Sequence, residues 1–230
     1  MKSIYLLSLI LVLASANISV DFSRYLTPSR NFFECLSSQE NIHKLIVEIL
    51  NAQGAFNLSF LRFYVISRDA NIKDFDAIIR VNDTFTPQDT CLHVAHALPK
   101  TFNGTVWLHV DNNKKNFSVW SIPVEKRIPY LENFVKALQN LGLKTGIYSS
   151  ADAWAAVMGS RGAGSDILKA VPVWYVNEDS SQDFNDFEHE GFGTWKTPTM
   201  KNYEGPATIC HPLFQVSSLN YYEDSKLIVA

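Results

Sequence analysis

The fold is decided by a short unit in the second half of the chain, where residues 145–158 read Thr145-Gly146-Ile147-Tyr148-Ser149-Ser150-Ala151-Asp152-Ala153-Trp154-Ala155-Ala156-Val157-Met158. Its start is a short β-rich run that predicts a strand. Its second part predicts a helix from Ala151 to Met158, which ends at the glycine-rich residues 159–164. Another helix is predicted just before this strand, over Pro129 to Leu141, because its apolar residues recur at three- and four-residue steps. Gly142 then ends that helix.

The same alternation of strands and helices runs along the rest of the chain. A third helix is predicted over Leu58 to Arg68. The predicted strands are Ile18–Phe22, Ile42–Leu50, Asp76–Val81, Val106–Val110, Thr145–Tyr148, Val171–Val176 and Leu213–Val216. Residues 42–50 would also suit a helix, although their apolar residues alternate as in a strand. Strands separated by helices favour parallel pairing, for which a barrel and a doubly wound sheet are the two simplest closures.

Composition limits the class of protein. The chain has 230 residues, of which 47% are hydrophobic and 19% charged, and this predicts one α/β domain with a sizeable core. The net charge is -3 and no block of basic residues occurs, so the electrostatic footprint of a nucleic-acid partner is missing. A membrane-surface role is disfavoured for the same reason.

The N-terminus predicts the compartment. Lys2 is followed by an apolar run from Ile4 to Leu13 and then by the small residues 14–16, which is the pattern of a secretory signal peptide. The apolar run is about half of the roughly 20 residues that a transmembrane helix needs, so membrane insertion is not expected. We expect residues 1–16 to be a signal peptide and residues 17–230 to be the mature domain, either secreted or in the lysosomal lumen.

Five Asn-x-Ser/Thr sequons agree with secretory routing and predict a glycoprotein, although each motif is short enough to arise by chance. They begin at Asn17, Asn57, Asn82, Asn103 and Asn116.

Three cysteines in an oxidising compartment predict one disulfide and one remaining thiol. They are Cys35, Cys91 and Cys210, and the sequence does not choose between the three pairings. No Cys-x-x-Cys spacing accompanies them, so a zinc site is not expected. His93 and His96 could share a helical face, but no nearby carboxylate completes a metal site.

The strand at residues 106–111 carries the candidate chemistry. Side chains alternate along a strand, so Trp107, His109 and Asp111 share one face, which should point into a barrel. Asp21 likewise lies at the end of the first predicted strand, just before the turn at Ser23. In a parallel barrel, catalytic groups gather at the C-terminal ends of the strands. Two converging carboxyl groups are the minimum that glycosidic hydrolysis requires.

At these residues the chain resembles the family-25 glycoside hydrolases, also called Chalaropsis-type lysozymes, and in particular their nematode and protist branch. Residues 20–23 resemble the Asp-Phe-Ser start of that family, and residues 104–111 resemble the strand that carries its Asp-x-Glu signature. Residues 146–150, followed by Trp154, are similar to its Gly-x-Tyr-Ser strand end. Residues 172–175 resemble its Leu-Trp-x-Ala segment, and Gln215 falls where the family has Gln-Tyr.

The resemblance implies a fold, a substrate and a set of site residues. It implies a flattened (β/α) TIM-like barrel and cleavage of the bond between N-acetylmuramic acid and N-acetylglucosamine in bacterial peptidoglycan, in innate defence or digestion. No cofactor is implied. The catalytic candidates are Asp21, His109 and Asp111. The implied substrate-binding residues, four aromatic rings and a glutamine, are Trp107, Tyr148, Trp174, Tyr175 and Gln215.

Two positions depart from the family pattern, since Asp-x-Glu is replaced by His109-x-Asp111. The usual acid is shorter by one methylene, and a loss of about one ångström of reach costs on the order of a hundredfold in rate. A further pocket acid of the family could be Glu223 or Asp224.

Three hypotheses remain for this altered pair. The first is a weak hydrolase that uses Asp111 and Asp21, and the second is a glycan-binding or signalling pseudoenzyme. In the third, His109 and Asp111 are a structural hydrogen-bonded pair and the aromatic rings form the core.

Overall fold

The computed structural model describes residues 17–22, 29–112, 120–210 and 215–223. The predicted signal peptide at residues 1–16 lies outside the described residues, and so do Asn116 and Asp224. Among the described residues, no helix combines the length and the apolar character that crossing a bilayer requires.

Strands and helices alternate through most of the described chain. In chain order they are β1 (Asn17–Phe22), α1 (Arg30–Ser38), β2 (Lys44–Leu50), α2 (Phe60–Asp69), β3 (Asp74–Arg80), α3 (Pro87–Ala97), β4 (Thr105–His109), α4 (Val124–Asn140), β5 (Lys144–Ser150), α5 (Ala151–Met158), α6 (Asp166–Lys169), β6 (Val173–Val176), α7 (Phe187–Glu190), β7 (Met200–Glu204), β8 (Ala207–Thr208), β9 (Gln215–Val216) and β10 (Ser218–Tyr222).

Eight strands close into one barrel in the order β1-β10-β7-β6-β5-β4-β3-β2. Neighbouring strands are parallel except β10, which runs antiparallel to both β1 and β7. Of the two closures that the sequence allowed, the structure therefore has the barrel. The β8 and β9 strands form a separate small sheet outside it.

The apolar residues form two layers, because side chains on each strand alternate between the barrel interior and the surrounding helices. A large outer cluster packs the helices against the barrel. A smaller cluster fills the interior, and its residues are Ile46, Ile78, Trp107, Tyr148, Trp174, Met200 and Tyr222. Gly146 is needed beside this inner layer, since a Cβ atom there would lie 2.4 Å from the Trp107 ring.

Most of the predicted regular elements are confirmed, and residues 44–50 form a strand. The α4 helix begins at Val124, five residues before the predicted start, and Pro129 lies inside it. The missing amide of Pro129 is tolerated because the rest of the helix is held by a buried apolar face. The predicted strand over residues 213–216 is wrong as a barrel strand. Its described part, Gln215–Val216, pairs with β8 instead.

A disulfide joins Cys35 on α1 to Cys210 after β8, with a Cα–Cα distance of 5.9 Å. Cys91 is a buried free thiol. The predicted pattern of one bridge and one thiol is confirmed, and the structure resolves the pairing that the sequence left open.

Candidate functional site

Five polar side chains gather at one end of the barrel, where the parallel strands finish. We call them the mouth cluster: Asp21 on β1, Glu48 on β2, Arg80 on β3, His109 at the end of β4, and Asp111 two residues beyond it. The alternation of side chains along each strand directs all five toward the barrel interior or its opening. The structure thus brings together the three residues predicted as catalytic and adds Glu48 and Arg80.

Arg80 lies at the centre of the mouth cluster and joins two carboxylates. Its Nε and Nη2 atoms each lie 3.1 Å from Oε2 of Glu48, and its Nη1 atom lies 3.3 Å from Oδ2 of Asp111. The side chains are largely buried, with exposed fractions of 13% for Arg80, 9% for Glu48 and 20% for Asp111. Burial raises the pKa of Glu48, and Arg80 lowers it. The guanidinium therefore compensates two carboxylates that have lost much of their solvent.

Asp21 is held from the neighbouring antiparallel strand. Ser218 Oγ donates a hydrogen bond to Oδ1 of Asp21, and Nδ2 of Asn220 donates to the same oxygen at 3.2 Å. Asp21 is only 4% exposed, and burial raises the pKa of its carboxyl group to about 6 even though both hydrogen bonds lower it. The surroundings of Asp21 therefore favour the protonated acid more than water does.

His109 is neutral in this environment. Burial, followed by the positive charge of Arg80, holds its pKa well below the ordinary value of 6.5. Its ring lies 4.3 Å from the ring of Tyr148, and its Nδ1 atom is buried without a hydrogen-bond partner in the described part of the chain. The third hypothesis expected a hydrogen bond between His109 and Asp111, but in the structure Asp111 accepts its hydrogen bond from Arg80.

The inward-facing aromatic rings form the filling of the barrel. Trp107 and Trp174 are 2% and 0% exposed and meet edge to face at 5.7 Å. Tyr148 is 8% exposed and stacks on Trp174 at 3.7 Å. A polar contact also fixes Trp107, whose Nε1 atom donates to Asp76 at 2.9 Å. These three predicted substrate-binding residues therefore occupy core positions, as the third hypothesis expected of them.

Tyr175 is not brought to the mouth cluster. It follows Trp174 on the same strand and therefore faces the opposite side, where it packs against Phe187. Its hydroxyl donates to Asp186 at 2.6 Å, and the fully buried Lys201 donates to the same carboxylate. Tyr175 thus belongs to a buried network that holds the segment after β6.

Two further predicted positions lie elsewhere or are only partly described. The backbone of Gln215 pairs with Thr208, and its side chain lies outside the described residues. Glu223 follows β10 at the end of the barrel away from the mouth, because β10 runs antiparallel and only its first residue, Ser218, pairs with Asp21. The Tyr221 hydroxyl donates to Glu223 there.

Glu48 and Arg80 were not among the site residues predicted from the sequence. Each is a charged residue in a strand that is otherwise mostly buried, and this was the available signal. On β2 the charge lies at an alternate position of an apolar run, at the face opposite to Val47 and Ile49.

The chemistry of the site is that of carboxyl groups and one cation. Among the described residues, the one group of His, Cys, Asp and Glu side chains with metal-ligand proximity is Cys35, Glu40 and Cys210, and its two sulfur atoms form the disulfide. The arrangement offers a carboxyl group at Asp21 whose pKa is raised to about 6, an ion-paired carboxylate at Asp111 and a neutral imidazole at His109.

Comparisons with known proteins agree with this barrel. Residues 13–203 match the family model described as Lysozyme-like protein 1. The probable GH family 25 lysozyme 3 of Dictyostelium discoideum is 27% identical over 211 residues, which cover 90% of this chain and 42% of that protein. The probable GH family 25 lysozyme 5 of the same organism is 25% identical and is covered over 92% of its length.

Solved structures share the fold at low sequence identity. The bacterial lysozyme from Streptomyces coelicolor superposes with a TM-score of 0.69 at 12% identity, covering 90% of this chain and 92% of that one. The muramidase from Trichobolus zukalii gives 0.66 at 13% identity, covering 91% and 95%. The predicted TIM-like barrel is confirmed.

Proposed function

Because this chain belongs to the lysozyme-like family-25 glycoside hydrolases, we propose that it is a secreted protein that binds the glycan of bacterial peptidoglycan without muramidase hydrolysis. The supporting observation is the position of Arg80, which lies within ion-pair distance of both Glu48 and Asp111. The barrel and its mouth are retained, while the charge of the mouth is changed.

Two physical arguments connect Arg80 to weak hydrolysis. The general acid must hold a proton and place it on the leaving oxygen, whereas the carboxyl group at the family's acid position here is the acceptor of a guanidinium. In addition, the transition state of glycoside hydrolysis has the character of an oxocarbenium cation. The guanidinium of Arg80, 3.3 Å from Asp111, offsets the negative charge that this carboxylate would otherwise offer to the developing cation.

The replacement of the other motif position acts in the same direction. A carboxylate at position 109 would add negative charge beside the reacting centre, but burial keeps the imidazole of His109 neutral. The mouth therefore lacks one of the two charges that the family motif supplies.

A weak hydrolase is the second candidate, and one observation favours it. The pKa of Asp21 is raised to about 6, so this carboxyl group carries a proton in a mildly acidic compartment. Asp21 could then act as the acid while Asp111 supplies negative charge, which is a division of roles set by two different environments.

Secretion is supported by two independent features. The first 16 residues have the pattern of a signal peptide. The disulfide between Cys35 and Cys210 is of the kind that persists in oxidising compartments.

The test measures binding and release separately on purified bacterial cell walls. We expect the wild-type protein to sediment with the walls and to release no muropeptides above the level of a heat-denatured sample. His109→Asp/Asp111→Glu, which rebuilds the family motif, should bind and gain release. Asp74→Asn is a matched control for Asp111→Asn, because Asp74 is an exposed carboxylate at the start of β3, at the other end of the barrel.

The outcomes separate the candidates. The hydrolase would be established instead if the wild type released muropeptides, if Asp111→Asn or Asp21→Asn abolished this release, and if Asp74→Asn retained it. Failure of the wild type to bind walls would reject both candidates.

A further inference from the structure

The described sequons differ sharply in what their asparagine side chains do in the fold. Asn57 is 7% exposed and its Nδ2 atom donates to the carbonyl of Glu48 at 3.0 Å. Asn82 is 8% exposed and its Nδ2 atom donates to the carbonyl of Ala52 at 2.9 Å. The Nδ2 atom of Asn17, within β1, is also buried. In all three, the atom that a glycan would use lies inside the protein.

These buried amides also organise local structure. The Oδ1 atom of Asn57 accepts from the backbone N–H of Ser59, just before α2, and the Oδ1 atom of Asn82 accepts from the N–H of Thr84. Each side chain therefore bridges two backbone segments, which is a common role of asparagine in turns. A glycan on Nδ2 would have to remove the side chain from its site.

Asn103 is different, because it is exposed and lies in the turn that precedes β4. The turn is held in place from both sides. The Phe102 N–H donates to the Pro99 carbonyl at 2.8 Å, and the Tyr64 hydroxyl donates to the Thr101 carbonyl at 2.9 Å. The third residue of this sequon, Thr105, is fixed by its N–H, which donates to Asp76 at 2.8 Å.

From this contrast we propose that Asn103 is an N-glycosylation site of the folded protein and that Asn17, Asn57 and Asn82 remain unmodified in it. In the transfer step, Nδ2 of Asn103 bonds to the anomeric carbon of a lipid diphosphate-linked oligosaccharide. The bond between that carbon and the phosphate oxygen breaks, the lipid diphosphate leaves, and one Nδ2 proton passes to a base of the transferase.

The location of Asn103 suits a protein whose opposite end binds a ligand. Asn103 precedes the first residue of β4, and the mouth residues His109 and Asp111 lie at and beyond the last. The strand between them spans about 13 Å at roughly 3.3 Å per residue. Asn57 and Asn82, in contrast, follow the ends of β2 and β3 on the side of the mouth. A glycan at Asn103 therefore leaves the mouth open, whereas one at Asn57 or Asn82 would stand beside it.

The order of glycan transfer and folding during secretion is compatible with a folded protein that is modified at Asn103 and unmodified at Asn57 and Asn82. Oligosaccharide transfer acts on the nascent chain, before side chains are buried. A chain modified at Asn57 or Asn82 could not then place that amide inside the fold, while a chain modified at Asn103 folds unhindered. The exported, folded population is therefore the one to examine. This assignment rests on the secretory routing proposed above and is independent of glycan binding at the mouth.

The experiment expresses the full chain with its own N-terminus in secreting eukaryotic cells and maps sequon peptides of the exported protein. Enzymatic removal of N-glycans in ¹⁸O water converts each glycosylated asparagine to ¹⁸O-labelled aspartate, which mass spectrometry locates. We expect the label at residue 103 and no label at residues 17, 57 or 82. Near-ultraviolet circular dichroism verifies that the exported protein is folded.

Matched variants identify the sequon itself as the cause. Asn103→Gln and Thr105→Ala should each remove the label from this peptide, and Thr105→Ser, which keeps the sequon, should retain it. An exported wild-type protein without label at residue 103, or with label at residue 17, 57 or 82, would overturn the proposal while secretion stands. A product that stays unmodified in the cytosol would overturn the routing and this assignment together.

Discussion

Replacing Arg80 with methionine isolates the electrostatic role of the mouth cluster. Glu48 is 9% exposed at its side chain and has Arg80 as its ion-pair partner at 3.1 Å. Methionine keeps much of the length of arginine but removes the charge, so Glu48 becomes a buried carboxylate without its cation. Breaking a buried pair in this way costs about 3–5 kcal/mol in the free energy of unfolding. For a domain of this size the expected fall in melting temperature is about 10 °C.

The stability lost in Arg80→Met should depend on pH, and the direction of this dependence follows from the pKa of Glu48. Burial already raises the pKa of Glu48, and Arg80 opposes that rise. Without Arg80 the folded-state pKa rises further above the unfolded value, so the folded state binds more protons than the unfolded chain. Stability is then retained below the unfolded pKa and lost as pH rises through the folded pKa. We expect a small deficit near pH 4 and the full deficit at pH 7.

Urea unfolding of the oxidised protein, followed by circular dichroism between pH 4 and pH 7, measures this deficit. The double variant Arg80→Met/Glu48→Gln is the control, because it removes the stranded charge together with its partner and should recover at least half of the loss. A deficit below about 1 kcal/mol at pH 7, or one of equal size at both pH values, would refute the electrostatic interpretation.

Three other changes test separate parts of the structure. The pKa of Asp21 is raised to about 6, so this group should contribute up to about 3 kcal/mol of stability that is present at low pH and lost as pH rises through 6. Asp21→Asn should therefore flatten the stability profile between pH 4 and pH 7 in the same urea assay. Gly146→Ala places a Cβ atom 2.4 Å from the Trp107 ring and should cost about 1–3 kcal/mol of stability. Gly162→Ala, which has open space around its Cβ position, should be nearly neutral, and equal melting temperatures of the two variants would contradict this packing argument. Cys35→Ser/Cys210→Ser opens a bridge between residues 175 positions apart and should cost about 2–5 kcal/mol, which a non-reducing thermal melt would detect.

The sequence predicted the repeating part of the fold well, because hydrophobic periodicity is local information. Residues 151–158 form the predicted helix with the predicted bounds, and residues 44–50 form the predicted strand. The β7 and β10 strands escaped prediction, since both carry buried polar residues such as Asn202 and Asn220 on the face that points into the barrel. Apolar patterning does not reveal strands of this kind.

The candidate site was predictable where it depended on alternation within a single strand. His109 and Asp111 were placed on one face in this way, and Asp21 was placed at the same end of the barrel. The contacts of Arg80 with Glu48 and Asp111 join residues 32 and 31 positions apart in the chain. They depend on the register of three neighbouring strands, which one sequence does not specify.

The aromatic residues depart from the sugar-binding surface that the family resemblance implied. Trp174 and Tyr175 were both assigned to one sugar-binding surface, yet adjacent strand residues face opposite sides of the sheet. Their burial also reflects the width of an eight-stranded barrel, whose interior is just filled by side chains. Bulky rings at positions 107, 148 and 174 supply that filling.

The inner apolar layer explains why the barrel is stable independently of the charges at its mouth. The interior is held by the apolar contacts of Trp107, Tyr148 and Trp174, which do not depend on the ionisation of any mouth residue. Arg80 compensates Glu48 and Asp111, and burial raises the pKa of Asp21 to about 6. A glycosidase mouth concentrates negative charge to meet a developing cation. In this chain the cation Arg80 lies in the mouth, and the fold accommodates it because the buried carboxylates of Glu48 and Asp111 pair with it.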